Sequence, residues 1–397
     1  MGEPNNIFKN PFVCFASSDW WSSNPYAINH TMREISKFTR VLFINTFSSS
    51  ISSFNKITKR MFLNKILGKL SSFLRYLRKV QENLYVFTPI SLPIRNNTLI
   101  FKLNLSFVQF QTKIIMKLLK INQPVFWVAN PNAAGFIFKF SHKFIIYVCT
   151  DKWNTSIYDQ NKCRLNEYDR ILTAKSDFII CVSRQIYNYY KKIAPNKAYY
   201  MPHAVDYSHF SNAKWGIIEP PIDIKNIPKP IIGFYGSISP QTDADLLYYC
   251  AKNRTDWSFV LLGKASSPDL NKLKNMPNVY WIGFKDYSML PLYGNQFSVC
   301  IIFKKLLDEW VNYSSPLKAK EYLSMGKPVV SVSIPEIKEE FSDVVSIAET
   351  KEDFLKAIAY ELSSDNEGKK EQRRNKVKNE TWDRYVKKIA DILSDYV

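Results

Sequence analysis

The chain reads as an α/β protein made of two Rossmann-like domains whose parallel sheets face each other across a cleft. Three observations predict this. Short, wholly apolar runs of strand length alternate with longer segments of helical periodicity, and they do so twice along the chain. Between the two series, residues 214–230 contain Pro220, Pro221, Pro228 and Pro230 and show no periodicity, as a linker does. A length of 397 residues, 46% of them hydrophobic, suffices for two domain cores of ordinary size.

In the first series, Phe12-Val13-Cys14-Phe15-Ala16 is a strand, a polar loop and a helix over 26–38 follow, and Val41-Leu42-Phe43-Ile44-Asn45 is the next strand. Uninterrupted apolar runs on either side of a helix make a βαβ unit, because a parallel sheet is covered on both faces and leaves its strands no polar side. Further strands are predicted at 84–88, 125–129, 144–149, 178–182 and 197–201, with helices near 56–80, 105–121, 167–174 and 183–193. The first domain is placed at 1–213, the linker at 214–230 and the second domain at 231–378. The second opens on Ile231-Ile232-Gly233-Phe234-Tyr235-Gly236. A helix over 243–253 comes next, then a strand over 257–262 closed by Gly263. Strands at 279–282, 299–303 and 328–332 and a helix over 354–362 continue it. Residues 367–378 are highly charged and read as a solvated helix face, and a last helix starts near 379 and runs to about 394.

Composition limits what the chain can be. No run of eighteen uncharged apolar residues occurs, so no transmembrane helix is expected, and residues 1–6 carry no basic leader of a signal peptide. Cys14, Cys149, Cys181 and Cys300 lie within apolar runs, and Cys163 and Cys250 complete the six. With no Cys-x-x-Cys pair, neither a zinc site nor a disulfide framework is expected, in keeping with a reducing compartment. The net charge of +19 points to an anionic partner or surface, or to a lysine-rich composition whose side chains are merely solvated. The excess is local. No acidic residue lies between Glu34 and Glu82, yet Lys56, Lys59, Arg60, Lys65, Lys69, Arg75, Arg78 and Lys79 all do. Ile66, Leu70, Phe73, Leu74 and Leu77 fall at helical spacing there. The stretch from Lys56 to Lys79 is therefore either a helix packed into its domain or a helix lying on an anionic membrane leaflet. No helix-turn-helix, zinc-finger or RNP-like pattern supports nucleic acid as the partner.

The chemistry is concentrated in residues 314–331, Ser-Ser-Pro-Leu-Lys-Ala-Lys-Glu-Tyr-Leu-Ser-Met-Gly-Lys-Pro-Val-Val-Ser. This reads as a loop, a short helix, a glycine stop and a buried strand. A helix start attracts phosphate, since its first N–H groups are unpaired and the macrodipole is positive there. Glu321, about a turn inside, can accept hydrogen bonds from a ribose diol. Loop and carboxylate together would hold a nucleoside diphosphate.

The run Pro316-Leu317-Lys318-x-x-Glu321-Tyr322-Leu323-x-x-Gly326-Lys327-Pro328-Val329-Val330 resembles the nucleotide-sugar signature of GT-B glycosyltransferases of the group 1, or family 4, type. Met201-Pro202-His203-Ala204-Val205-Asp206 with Phe210 is similar to the run that closes the family's N-terminal domain. The strand at 257–263, followed by Asn278-Val279-Tyr280-Trp281-Ile282-Gly283-Phe284, has the spacing of its C-terminal domain. Asp19-Trp20-Trp21, Tyr147-x-x-x-Asp151 and Gly236 with Asp243 add local similarity. Within the family the chain looks nearest to transferases of bacterial cell-envelope polymers of the teichuronic-acid type.

The resemblance implies roles for particular residues. Glu321 would bind the ribose hydroxyls, and the loop ending in Ser315, Pro316 and Leu317 would offer N–H groups to the diphosphate. Lys318 either assists or is a solvated lysine. Gly236, followed by Ser237, would let the backbone approach the diphosphate, and the base would lie near Gly263 and 283–285, Phe284 among them. The family often carries a first Glu eight residues before Glu321, where Tyr313 stands here. It also often places an Arg and a Lys soon after Gly236, where Ser237 and Asp243 stand. Lys304 and Lys305, directly after a strand, are the substitutes for those phosphate cations. In the N-terminal domain, Asn130 stands where relatives often place a histidine; as a catalytic-site residue it would donate a hydrogen bond to the sugar but cannot shuttle protons. Asp19 and Asp151 are candidates for acceptor activation or binding, against an N-cap role for each. His203 reads as part of a turn, and His30 either meets the acceptor or lies on a helix surface. The segment 379–397 would pack back on the N-terminal domain.

The expected function is a retaining, metal-independent glycosyltransferase without a cofactor at the inner face of the plasma membrane. It would move a sugar from a nucleotide-diphosphate-sugar to a cell-envelope glycan or lipid-linked saccharide. A catalytically silent binding or scaffold subunit and a GT-B sugar-nucleotide epimerase are the alternatives.

Overall fold

A computed structural model describes residues 7–22, 24–47, 76–91, 98–150, 152 and 162–394. The chain forms two compact α/β units. The first comprises 1–182, 186–201 and 386–397, the second 183–185 and 202–385.

The first unit is built on an eight-stranded sheet, β1 (Phe12–Phe15), β2 (Val41–Ile44), β3 (Leu77–Gln81), β4 (Leu84–Phe87), β5 (Val125–Val128), β6 (Phe144–Cys149), β7 (Phe178–Cys181) and β8 (Ala198–Tyr200), in the order β3-β4-β2-β1-β5-β6-β7-β8. All pairs are parallel except β3 with β4. The apolar runs explain the centre of this sheet, since β1, β2 and β5 are buried along their whole length. Helices Ala27–Ile35, Thr98–Leu118, Lys162–Lys175 and Arg184–Ile193 connect the strands.

One element departs from the expected helix over 56–80. Residues 77–80 belong to β3, which pairs antiparallel with β4 across a turn in which Asn83 takes a left-handed φ of 59°. A short turn between two extended runs favours the hairpin over continuation of a helix. The rest of the basic stretch, from Lys56 through 75, lies outside the described residues.

The second unit carries a six-stranded, all-parallel sheet. Its strands are β9 (Ile231–Tyr235), β10 (Ser258–Leu262), β11 (Val279–Gly283), β12 (Val299–Ile302), β13 (Val329–Val332) and β14 (Ser346–Ala348), in the order β11-β10-β9-β12-β13-β14. Numbered from its own first strand this is 3-2-1-4-5-6, the doubly wound order, whose direction reverses between β9 and β12. The segment 214–230 does not stand apart as a linker. It carries the short helices Lys214–Ile217 and Ile222–Lys225, and Ile224, 1% exposed, joins the core of the second unit. Asp223 pairs with Lys285 at 2.6 Å and accepts from the Tyr293 hydroxyl at 2.9 Å. Prolines bar a long helix there without barring packing, and the chain passes between units at Met201–Pro202 instead. Residues 386–397, including most of the helix Trp382–Ser394, group with the first unit.

All six cysteines are free thiols, Cys163 exposed and the other five buried.

Candidate functional site

In a doubly wound sheet the place to look is the carboxyl edge at the strand-order reversal, where loops leave adjacent strands in opposite directions. In the second unit this is the junction of β9 and β12. The loop after β9 is fastened to the segment after β12, because Asp243 N–H donates to the Phe303 carbonyl at 3.0 Å and Lys305 N–H to that of Gln241 at 2.9 Å. Asp243 is also the cap of the helix Ala244–Asn253, its carboxylate accepting from Leu246 N–H at 2.9 Å. Asp245 pairs with Lys272. Both carboxylates of the Asp-Ala-Asp run are thus used within the unit.

Glycines open the edge. Gly236, at a φ of +132°, ends β9, and its N–H donates to Leu262 O at 2.8 Å. Gly263 N–H donates to Gly283 O at 2.8 Å. A Cβ at position 263 would come within 1.8 Å of the Gly236 carbonyl oxygen. The adjacent strand ends therefore approach as closely as only glycine permits.

The helix Leu317–Ser324 runs in from the other side. It begins at Pro316 with no side-chain cap, while Ser314 spends its hydroxyl on the Val311 carbonyl at 2.7 Å. Ser315, Pro316 and Leu317 are half-buried at this start. The helix is pinned to the end of β9 by Tyr322, fully buried, whose hydroxyl accepts from Tyr235 N–H at 3.1 Å. Lys320 holds the opposite side. Its ammonium donates to the His203 carbonyl at 2.5 Å and pairs with Glu380. That fixes the 202–206 turn beside the helix, and burial together with Lys320 pushes the His203 imidazole down to about 3, so it is neutral.

Four predicted residues meet at this edge. Lys318 lies over Gly236, where a Cβ would stand 2.1 Å from its Cε and 2.6 Å from its Nζ. Glu321 sits one turn further along, its pKa raised to about 7 by burial and by the Asp206 charge, against the opposing pull of Lys318 and the Tyr235 hydroxyl. Burial pushes the Lys304 amine down to about 8, and Lys318 is close enough to add to the fall. Lys318 is itself lowered, by burial first, with Glu321 opposing. Lys318 thus weakens the hold of Lys304 on its proton, with Asp308 opposing at Lys304 and Glu321 at Lys318. A bound dianion would relieve the repulsion between the lysines.

Other predicted residues fall elsewhere. Lys305 pairs with Asp269 at 2.8 Å. Ser237 is exposed beside Gly236. Phe284 is half-buried two strands away, with the Lys264 ammonium 4.9 Å from its ring centroid. In the first unit, Asp19 accepts from Trp21 N–H at 2.8 Å in a local turn and caps no helix. Asn130 is 4% exposed and caps the short turn Pro131–Gly135, accepting from Asn132 N–H at 3.1 Å and donating to Ala16 O at 3.4 Å. Its amide oxygen also accepts from the Asn132 side chain at 3.1 Å, so that oxygen is taken up by the turn. Asp151 lies outside the described residues. Sequence reasoning missed Tyr235, Tyr322 and Asp206 as shapers of the Glu321 environment. The adjacency of Tyr235 to Gly236 and of Tyr322 to Glu321 was the available signal.

Comparison with known proteins bears on the fold first. The Burkholderia vietnamiensis α,α-trehalose-phosphate synthase (UDP-forming) superimposes with a TM-score of 0.70 at 10% identity, covering 97% of this chain and all of that one (100%). Sucrose-phosphate synthase from Thermosynechococcus elongatus gives 0.68 at 12% identity, covering 97% and 98%. Anabaena HepE in complex with UDP and glucose gives 0.64 at 12%, covering 97% and 99%. The chain has the GT-B fold. No family model matches it. Among curated sequences it is 27% identical over 282 residues to the protein named "Putative teichuronic acid biosynthesis glycosyltransferase TuaH" of Bacillus subtilis (strain 168), covering 66% of this chain and 70% of that protein.

Proposed function

We propose that the protein is a glycosyltransferase that moves a sugar, with retention of configuration, from a nucleotide-diphosphate-sugar to a cell-envelope glycan or lipid-linked saccharide. One observation carries this reading: Glu321, Lys318 and Lys304 gathered around Gly236 at the strand-order reversal of a GT-B second unit. The teichuronic acid name of the similar Bacillus protein supports the envelope acceptor. UDP and glucose in the HepE structure support a nucleotide-sugar donor.

In this mechanism Glu321 accepts hydrogen bonds from the ribose hydroxyls and so fixes the donor. The N–H groups at the start of Leu317–Ser324, with Lys318 and Lys304, stabilise the charge that develops on the departing diphosphate. That phosphate, leaving from the face the acceptor attacks, helps to take the acceptor proton. Two lysines at the phosphate position make a metal-independent reaction the reading we favour. Work at the inner face of the plasma membrane follows from a lipid-linked acceptor.

The test is a thermal-shift series with UDP and UDP-sugars, since a ligand that binds only the native state raises the melting temperature. Transfer to lipid-linked acceptors is then assayed for those that bind. Absence of stabilisation by every nucleotide diphosphate would sink the donor site. Tyr313, in place of the family's usual first Glu, favours a second reading, a silent binding subunit. Stabilisation by nucleotide sugars without transfer to any acceptor would establish it.

A further inference from the structure

The helix Thr98–Leu118 has two apolar faces. One is buried and includes Phe101, Leu105, Val108, Ile115 and Met116. Gln111 on that side clasps the Ile90 backbone, accepting from its N–H at 3.0 Å and donating to its carbonyl at 2.8 Å. The other face is exposed. Leu99, Leu103, Phe107, Phe110, Ile114 and Leu118 recur every three or four residues along the whole helix, each between 45% and 66% exposed. At ~1.5 Å per residue the row is about 30 Å long. Scattered exposed apolar residues are ordinary, but a continuous row of this length marks an interaction surface.

Charge identifies the partner. Lys102, Lys113 and Lys117 are exposed, and at a helical rotation of about 100° per residue they fall along one edge of the row. No acidic residue lies between Glu82 and Asp151. Residues 35–150 as a whole hold seventeen Lys or Arg against the single acid Glu82. A surface that is apolar along its centre and cationic along its edge matches the boundary of an anionic bilayer.

We propose that this face docks on an anionic lipid bilayer, the helix lying in the interface plane with its exposed row at the acyl boundary and its lysines among headgroup phosphates. A second copy of the chain would bring no acidic residue from this helix to meet the lysines. Residues 48–75 carry six Lys or Arg and no acid, so they supply no anions either. Among the described residues no helix is long and apolar enough to cross a membrane, and the inner face of Thr98–Leu118 is already committed to its own unit. The proposal deepens the lipid-linked-acceptor reading by naming a membrane contact, and it places that contact on an element other than the stretch from Lys56 to Lys79.

The test is co-sedimentation of the full chain with phosphatidylcholine vesicles, with and without phosphatidylglycerol. The wild type should pellet with the anionic vesicles. Leu103→Gln/Phe107→Gln/Phe110→Gln/Ile114→Gln should lose at least about tenfold in partitioning, as loss of the apolar face requires. Lys102→Gln/Lys113→Gln/Lys117→Gln should lose the preference for anionic vesicles. Because the fourfold variant can fail to fold, Phe110→Trp gives a second reading: its emission, as a difference from wild type, should shift to the blue on adding anionic vesicles. Wild type left in the supernatant, an unshifted Phe110→Trp, or a wild-type dimer that the fourfold variant abolishes would each overturn the proposal. Stabilisation by UDP reads the second unit separately, so the donor site can fail while vesicle binding stands, and the reverse.

Discussion

Burial and the proposed ribose ligand make opposite demands on Glu321, and pH separates them. Burial raises its pKa from the ordinary 4.5 to about 7, so the folded apoprotein favours the neutral acid. Its contribution to stability is therefore full below pH 4.5 and is lost as pH rises through about 7. Ribose hydroxyls donate best to the ionised form, so UDP affinity should move the other way and rise across the same interval. Glu321→Gln should flatten both slopes, seen in melting temperatures and UDP titrations at a series of pH values. It should also weaken donor binding by about ten- to a hundredfold, the worth of charged hydrogen bonds at ~1.5–3 kcal/mol. Parallel pH profiles for the two proteins would show that Glu321 is not the group that titrates. The lysines give a second contrast. Lys304, pushed down to about 8 with Lys318 close by, is the cation that the proposed reaction sets against the diphosphate, whereas Lys305 is engaged with Asp269. Lys304→Ala should lose most of the transfer rate and Lys305→Ala little of it, and equal losses would move the charge stabilisation to other groups.

At the scale of elements, the site is one helix fastened to one strand end. Tyr322→Phe keeps the ring and removes the acceptor for the buried Tyr235 N–H. An unsatisfied buried donor costs about 1–3 kcal/mol, so the melting temperature should fall and UDP affinity should fall with it as the helix loosens. A drop in stability with unchanged affinity would mean that the hydroxyl does not position the site. Gly236→Ala asks for both a strained φ of +132° and the space that Lys318 fills, and it should weaken UDP binding by displacing that lysine. The helix and β13 are legible in the sequence because loop, helix start, carboxylate, glycine stop and apolar run follow one another without a break. What fastens them is not legible. The Tyr235–Tyr322 bond joins residues 87 apart, and Lys318 leans on a glycine in another element. Such contacts depend on topology that local pattern does not encode. Hairpin β3–β4 is hidden for another reason. The central residues of the edge strand β3 are exposed, so it shows no alternation to set against the helical spacing that runs up to Leu77. β14 escapes because it is short and only its last residue is buried, so no apolar run marks it.

At the scale of the molecule, the chain leaves the first unit, builds the second, and returns. The apolar runs mark the two series of parallel strands but leave out β3 and β14, one in each sheet, and the return is a matter of where one helix is shared. Trp382–Tyr385 group with the second unit and 386–397 with the first. Val386, Ile389, Ala390 and Leu393, at positions i, i+3, i+4 and i+7, are each no more than 2% exposed. One amphipathic face of the helix therefore belongs to a core whose other elements precede it by nearly two hundred residues, from 201 to 386. Removing side chains from that face should weaken the first unit and leave the proposed nucleotide site of the second intact. Each large-to-alanine change in a packed core costs about 2–5 kcal/mol, so Ile389→Ala/Leu393→Ala should sharply reduce amide protection in β1, β2 and β5. Protection of β9 and of Leu317–Ser324 by UDP should remain. Equal loss of protection in both sheets would show that the two units unfold as one, and that the returning helix couples them instead of serving the first alone.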